Sequence, residues 1–125
     1  MSLEPLYSKV SEAIRKAESM EDDGDPGAEE AYGEVSQLEE EIARLLPASN
    51  AEGALARRGA LRAALAAGDF TRAVKLKDRY ETEEGATDEL RRELIEVWEV
   101  ARRSRASALT FHWTLEVLRM ELTAA

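Results

Sequence analysis

Apolar residues return at alternating steps of three and four along almost the whole of this chain, and strings rich in Gly, Pro and Asp interrupt them at four places. Such steps put side chains on one face of a helix, so the pattern predicts a series of helices, each burying one stripe. The first stripe is Leu6, Val10, Ala13, Ala17 and Met20, in a helix expected over residues 5–20 and ended by EDDGDPG. Asp25 is then expected as an N-cap and Pro26 as the first helical residue, where a missing N–H costs nothing. This second helix carries Ala28, Ala31, Val35, Leu38, Ile42 and Leu45 and stops at Pro47. Ser49-Asn50-Ala51-Glu52 has the form of a capping box, opening a third helix through Leu55, Leu61 and Leu65.

Gly68 can take the left-handed conformation that closes a helix, and Asp69 can cap the next one, so this pair predicts a tight αα-hairpin. The fourth helix carries Phe70, Ala73, Leu76 and Tyr80 and stops near Gly85. The fifth, capped by Thr87 or Asp88, is the longest. Its stripe is Leu90, Leu94, Val97, Ala101, Ser104, Ala108, Phe111, Leu115, Leu118 and Leu122, a period that favours a left-handed bundle or coiled coil. The middle, ARRSRASA, offers only Ala and Ser to this stripe, so another helix could approach closely there. Residues 109–117, LTFHWTLEV, alternate with period two and are rich in Thr, Phe, Trp and Val, which is strand chemistry. No second stretch could pair with such a strand, so a helix is expected, apolar almost all round and suited to a subunit interface.

The expected fold is therefore all-α: a single-domain helical bundle with acidic N-terminal helices in 1–47, a hairpin in 49–84 and a long heptad-patterned helix in 87–122. A chain of 125 residues has room for one modest core. It has no Cys, which excludes a disulfide framework, a thiolate metal site and a catalytic thiol. No apolar run reaches the length of a membrane span and residues 1–20 are too polar for a signal peptide, so a cytoplasmic location is expected.

The net charge of −9 lies entirely in the first half: residues 1–50 hold 13 acids and 4 bases, residues 51–125 hold 13 of each. An acidic chain is a poor binder of a phosphate backbone. The local exception runs from Arg57 to Arg79, with seven bases against Asp69 and Asp78. A basic surface for nucleic acid would draw on Arg57, Arg58, Arg62, Arg72, Lys75 and Lys77, whereas the plainer expectation is a solvated face or an internal partner for the acidic half.

Catalytic sets are incomplete. The single His112 has Glu116 one turn later, two ligands where a stable metal site wants three or four. Leu109 stands where a di-iron bundle would place the Glu of its Glu-x-x-His pair. An all-α nucleotide pyrophosphohydrolase would hold Mg²⁺ with a Glu-x-x-Glu pair and a later Glu-x-x-Asp pair. Glu81/Glu84, Glu93/Glu96 and Glu96/Glu99 have the first spacing, but no Asp has a Glu three residues before it. The EDDGDPG loop does not match the glycine offset and terminal Glu of a calcium loop. Neither cofactor nor metal is expected.

Residues 60–80, ALRAALAAGDFTRAVKLKDRY, resemble the UVR motif, the helical hairpin of the excision-repair proteins UvrB and UvrC and of some adaptors of bacterial Clp proteases. Leu61 matches the motif's apolar position, Ala64 and Leu65 its first small pair, and Asp69-Phe70 its turn. Ala73-Val74 match the second small pair, and Leu76-Lys77-Asp78-Arg79-Tyr80 stand where the motif has Leu-Arg-Asp-x-Ile. Arg57 departs from the pattern by replacing an apolar residue, and Thr71 replaces the usual Glu. A tetratricopeptide hairpin shares part of this grammar, but the chain has no matching repeat. The resemblance covers residues 57–80 and implies a hairpin that associates with other helices.

The function expected is a non-enzymatic protein–protein interaction module, in the manner of a bacterial stress-response or DNA-repair adaptor. Its alternatives are the metal-dependent pyrophosphohydrolase and nucleic-acid binding through the basic hairpin. The expected partner-binding residues are Leu61, Asp69, Phe70, Ala73, Leu76, Lys77, Asp78 and Tyr80. Phe111, Trp113, Leu115, Leu118 and Leu122 are expected to form a homo-oligomer interface, so the partner is another protein or a second copy.

Overall fold

The computed structural model describes residues 2–104. The expectations for Phe111, Trp113, Leu115, Leu118 and Leu122, for His112, and for helix or strand over 109–117 lie outside the described residues. Within them the chain is an all-α bundle with no strand. Four helices, α1 (Glu4–Asp22), α2 (Ala28–Leu45), α3 (Ala51–Ala66) and α4 (Phe70–Thr82), are followed by α5, which is helical over 88–104.

The breakers act as local chemistry dictates, with two shifts of position. Asp25 does not cap α2: its carboxylate accepts the Gly27 N–H at 2.8 Å, making a turn, and α2 begins at Ala28 behind Gly27. Leu46 is extended, the conformation forced on a residue before proline, so α2 ends there. The cap of α3 is Asn50 and not Ser49. Its Oδ1 accepts from Glu52 N–H (2.9 Å) and Gly53 N–H (3.0 Å), the donors two and three residues on that a cap reaches. Glu52 does not fold back to close a capping box and instead accepts the Tyr7 hydroxyl of α1. Gly68, at φ +73°, closes α3, and the Asp69 carboxylate accepts Arg72 N–H at 3.1 Å to open α4. Thr87 caps α5 by accepting Leu90 N–H at 3.0 Å.

Helix α3 is central, packed against α2 and α4. Its buried face is the small-residue line Gly53, Ala56, Ala60, Ala63 and Ala64, together with Arg57 and Leu61. This face is rotated away from Leu55, which is exposed although the sequence puts it on the stripe. Leu45, in the last turn of α2, is likewise exposed, and Ile42 and Ala43 take the burial. The main core joins Val10 of α1 and Ile42 of α2 to Leu61, Leu76, Leu90 and Leu94 of the later helices. A smaller cluster of Ala17, Ala31, Val35 and Ala63 ties α1 and α2 to α3. Among the described residues no helix is long and apolar enough to cross a membrane.

Candidate functional site

The turn between α3 and α4 sorts the expected partner-binding residues by burial. Leu61, Ala73, Leu76 and Tyr80 are buried in the protein's own core. They cannot meet a partner without unfolding the hairpin, because their apolar faces are what join α3 to α4. Asp69, Phe70 and Asp78 are exposed. Phe70 retains 36% of its surface and Val74, one turn later, 43%. These two begin a line on α4 at helical spacing that continues through Lys77 and Glu81. Lys77 lies 3.0 Å from Glu81 and 5.6 Å from the ring centroid of Trp98, so this end of the line is held against α5.

The opposite side of the hairpin is bound to α2 by a charged network. Ser36, fully buried, donates its hydroxyl to the Ala60 carbonyl at 2.8 Å and accepts from Arg72 Nε at 2.9 Å. Glu40, 7% exposed, accepts from Arg72 at 3.1 Å and Arg79 at 2.9 Å, with Arg44 at 3.4 Å. Burial works to raise the Glu40 carboxyl, but the guanidinium hydrogen bonds and charges prevail and hold it below the usual carboxylate range. Two of the hairpin's cations, Arg72 and Arg79, thus pair with the acidic first half.

Arg57, 3% exposed, is the residue whose placement sequence reasoning signalled without explaining. Its guanidinium donates to both Glu83 oxygens (2.7 and 2.8 Å), to the Gly53 carbonyl (2.8 Å) and to the Ala43 carbonyl (3.0 Å). It also lies 5.6 Å from the centroid of Tyr80, whose hydroxyl burial pushes up to about 12. The signal in the sequence is its departure from the motif the hairpin resembles, an arginine where that pattern carries an apolar residue. Of the other cations named for nucleic acid, Arg58 pairs with Glu93 at 2.7 Å, whereas Arg62 and Lys75 are exposed.

The carboxylates proposed for a metal are spread along helix surfaces: Glu81 faces Lys77, Glu93 faces Arg58 and Glu99 faces Arg102. Among the described residues no group of three His, Asp or Glu comes together to hold a metal. Glu39 differs from these, since burial pushes its carboxyl up to about 7. It lies over Gly59, whose missing side chain makes room for it. It also lines a cleft of about 360 Å³ with Tyr7, Val10, Glu52 and Leu55. Comparison with models of known protein families, with curated proteins and with solved structures finds no match.

Proposed function

We propose that this chain is a non-enzymatic interaction module that presents the α3–α4 turn to a helix of another protein, as its likeness to UVR hairpins implies, and associates with itself through its C-terminal apolar stripe. The observation that supports the first part is the apolar surface of Phe70 and Val74 on successive turns of α4. The hairpin's interior is already filled by Leu61, Ala64, Ala73, Leu76 and Tyr80. A partner helix laid along α4 would cover the aromatic ring as an anchor, with Asp69 and Asp78 as its polar rim. An adaptor role in bacterial stress response or DNA repair accords with that hairpin.

Replacing Phe70 by Ala tests this reading. A partly exposed ring contributes less than the roughly 3–5 kcal/mol of a buried one, so a loss of about 1–2 kcal/mol is expected in urea unfolding. Capture of the partner from native cytosol on the immobilised protein is expected to fall by about tenfold or more, as for an interface anchor. Partner loss only in proportion to unfolding would make Phe70 a plain staple of the turn and remove the docking role.

A further inference from the structure

A groove of about 590 Å³ runs between α3 and α5. Its floor is apolar, formed by Leu65 and Ala66 of α3 with Val97, Val100 and Ala101 of α5, and Val100 remains half exposed. Its walls carry opposite charges: Arg58 and Arg62 on α3, Glu93 and Glu96 on α5. Arg58 pairs with Glu93 at 2.7 Å through one terminal nitrogen, whereas Arg62 and Glu96 have no ion-pair partner among the described residues.

The chain itself contains a complement to this surface. Phe111, Leu115, Leu118 and Leu122 recur at the anchor spacing of a helix that docks in a groove. On a helical projection Arg119 and Glu121 fall on opposite flanks of that stripe. One of the two directions along the groove therefore sets Arg119 against Glu96 and Glu121 against Arg62. We infer that the groove between α3 and α5 receives the 109–122 stripe of a second copy of this chain.

A second copy is favoured over the chain's own stripe by its turn chemistry. Each of the four connections between the described helices contains a Pro or a Gly at positive φ: Gly24, Pro47, Gly68 and Gly85. After Gly85 the sequence has neither Gly nor Pro, and residues 105–108 are Arg, Ala, Ser and Ala. A reversal that would bring the stripe back onto its own groove lacks the residues with which this chain makes reversals. The exchange is reciprocal, each copy giving a stripe and offering a groove, so it closes as a dimer.

This inference rests on the self-association proposed above, and sedimentation of the full chain at micromolar concentration tests both. Wild-type protein is expected to be dimeric. Val100→Glu, which damages only the groove, and Leu118→Glu, which damages only the stripe, are each expected to give monomers whose α1–α5 body keeps its circular dichroism and melting temperature. An equimolar mixture of the two retains one intact contact and is expected to recover a heterodimer, seen by native mass spectrometry. A second pair avoids apolar changes: Arg62→Glu is expected to weaken the dimer about tenfold, and Glu121→Arg in the same chain to restore it. A wild-type monomer overturns self-association altogether. A dimer that survives Val100→Glu, or a mixture that stays monomeric, overturns the groove while leaving the hairpin reading to its own test.

Discussion

Arg57 lies on the buried face of α3, and its burial is tolerated because each of its guanidinium nitrogens meets an acceptor. Removing one member of a buried charged pair leaves the others desolvated and unmet, which costs more than the pair contributes. Arg57→Ala is therefore expected to destabilise by about 3–5 kcal/mol in urea unfolding. Glu83→Gln, which keeps an acceptor oxygen but leaves the buried guanidinium without its counter-charge, is expected to cost about 1.5–3 kcal/mol. The double variant Arg57→Met with Glu83→Gln, which replaces the fork by an apolar side chain of similar reach, should recover part of the first loss. A double-mutant cycle with coupling below about 0.5 kcal/mol would remove the pair from the list of what holds α3 to the end of α4. The sequence already marks Arg57 as out of pattern. Its partner, 26 positions away in the connection after α4, was not legible, because periodicity reports which face a residue is on and not which neighbour meets it.

At the level of the helices, boundaries and types were readable where one residue type has one strong local use. Gly68-Asp69 and Pro47 act as expected, whereas Ser49 loses its capping role to Asn50, and Asp25 is used in a turn to Gly27, behind which α2 starts with no side-chain cap. On α3, Leu61 is buried and Leu65 packs against the core as the stripe implied, and only Leu55 was misread, for a different reason. The sequence pattern weighs Leu above Ala and Gly, but a central helix approached closely from two sides selects small side chains for the contact. Gly53 carries this furthest, since a Cβ there would lie 2.2 Å from the Pro47 carbonyl oxygen. In an isolated helix Gly→Ala stabilises by about 1 kcal/mol. Here Gly53→Ala is expected to reverse that sign and destabilise by about 1–3 kcal/mol as the α2–α3 corner is pushed apart. Gly33→Ala in α2, where a Cβ meets nothing within 4 Å, is expected to keep the normal sign and stabilise by about 0.5–1 kcal/mol. Thermal melts of the two single variants check the pair, and equal shifts would refute the close approach as the cause.

Across the whole molecule, two carboxylates of α2 impose opposite dependences on pH. Glu40 is held low by its arginines, so its contribution is present above the ordinary carboxylate range and lost as pH falls through its folded value. Glu39 is pushed up from 4.5 to about 7, so the folded protein holds a proton that the unfolded chain has released. Between these values stability falls as pH rises, and above about 7 the full penalty remains. Tyr7 and Glu52 line the same cleft as Glu39, and no cation among its lining residues neutralises the Glu39 charge. Glu39→Gln is expected to raise the melting temperature at pH 8, by a stabilisation on the order of 1 kcal/mol, and to have little effect at pH 4. Equal shifts at the two pH values would show that desolvation of its charge is not the cause.

The bonds that Arg57, Arg72 and Arg79 make to Ala43, Ser36 and Glu40 decide whether the hairpin is portable. Short repeat-like motifs invite excision and grafting, on the assumption that their structure travels with their sequence. Cut out as residues 49–84, this one would leave the Glu40 carboxylate, the Ser36 hydroxyl and the Ala43 carbonyl behind in α2, so Arg72 and Arg79 would lose the side-chain acceptors that orient them and Arg57 one of its four. Any transplant of the α3–α4 hairpin to a new scaffold must therefore take α2 with it, making the smallest transferable unit three helices long.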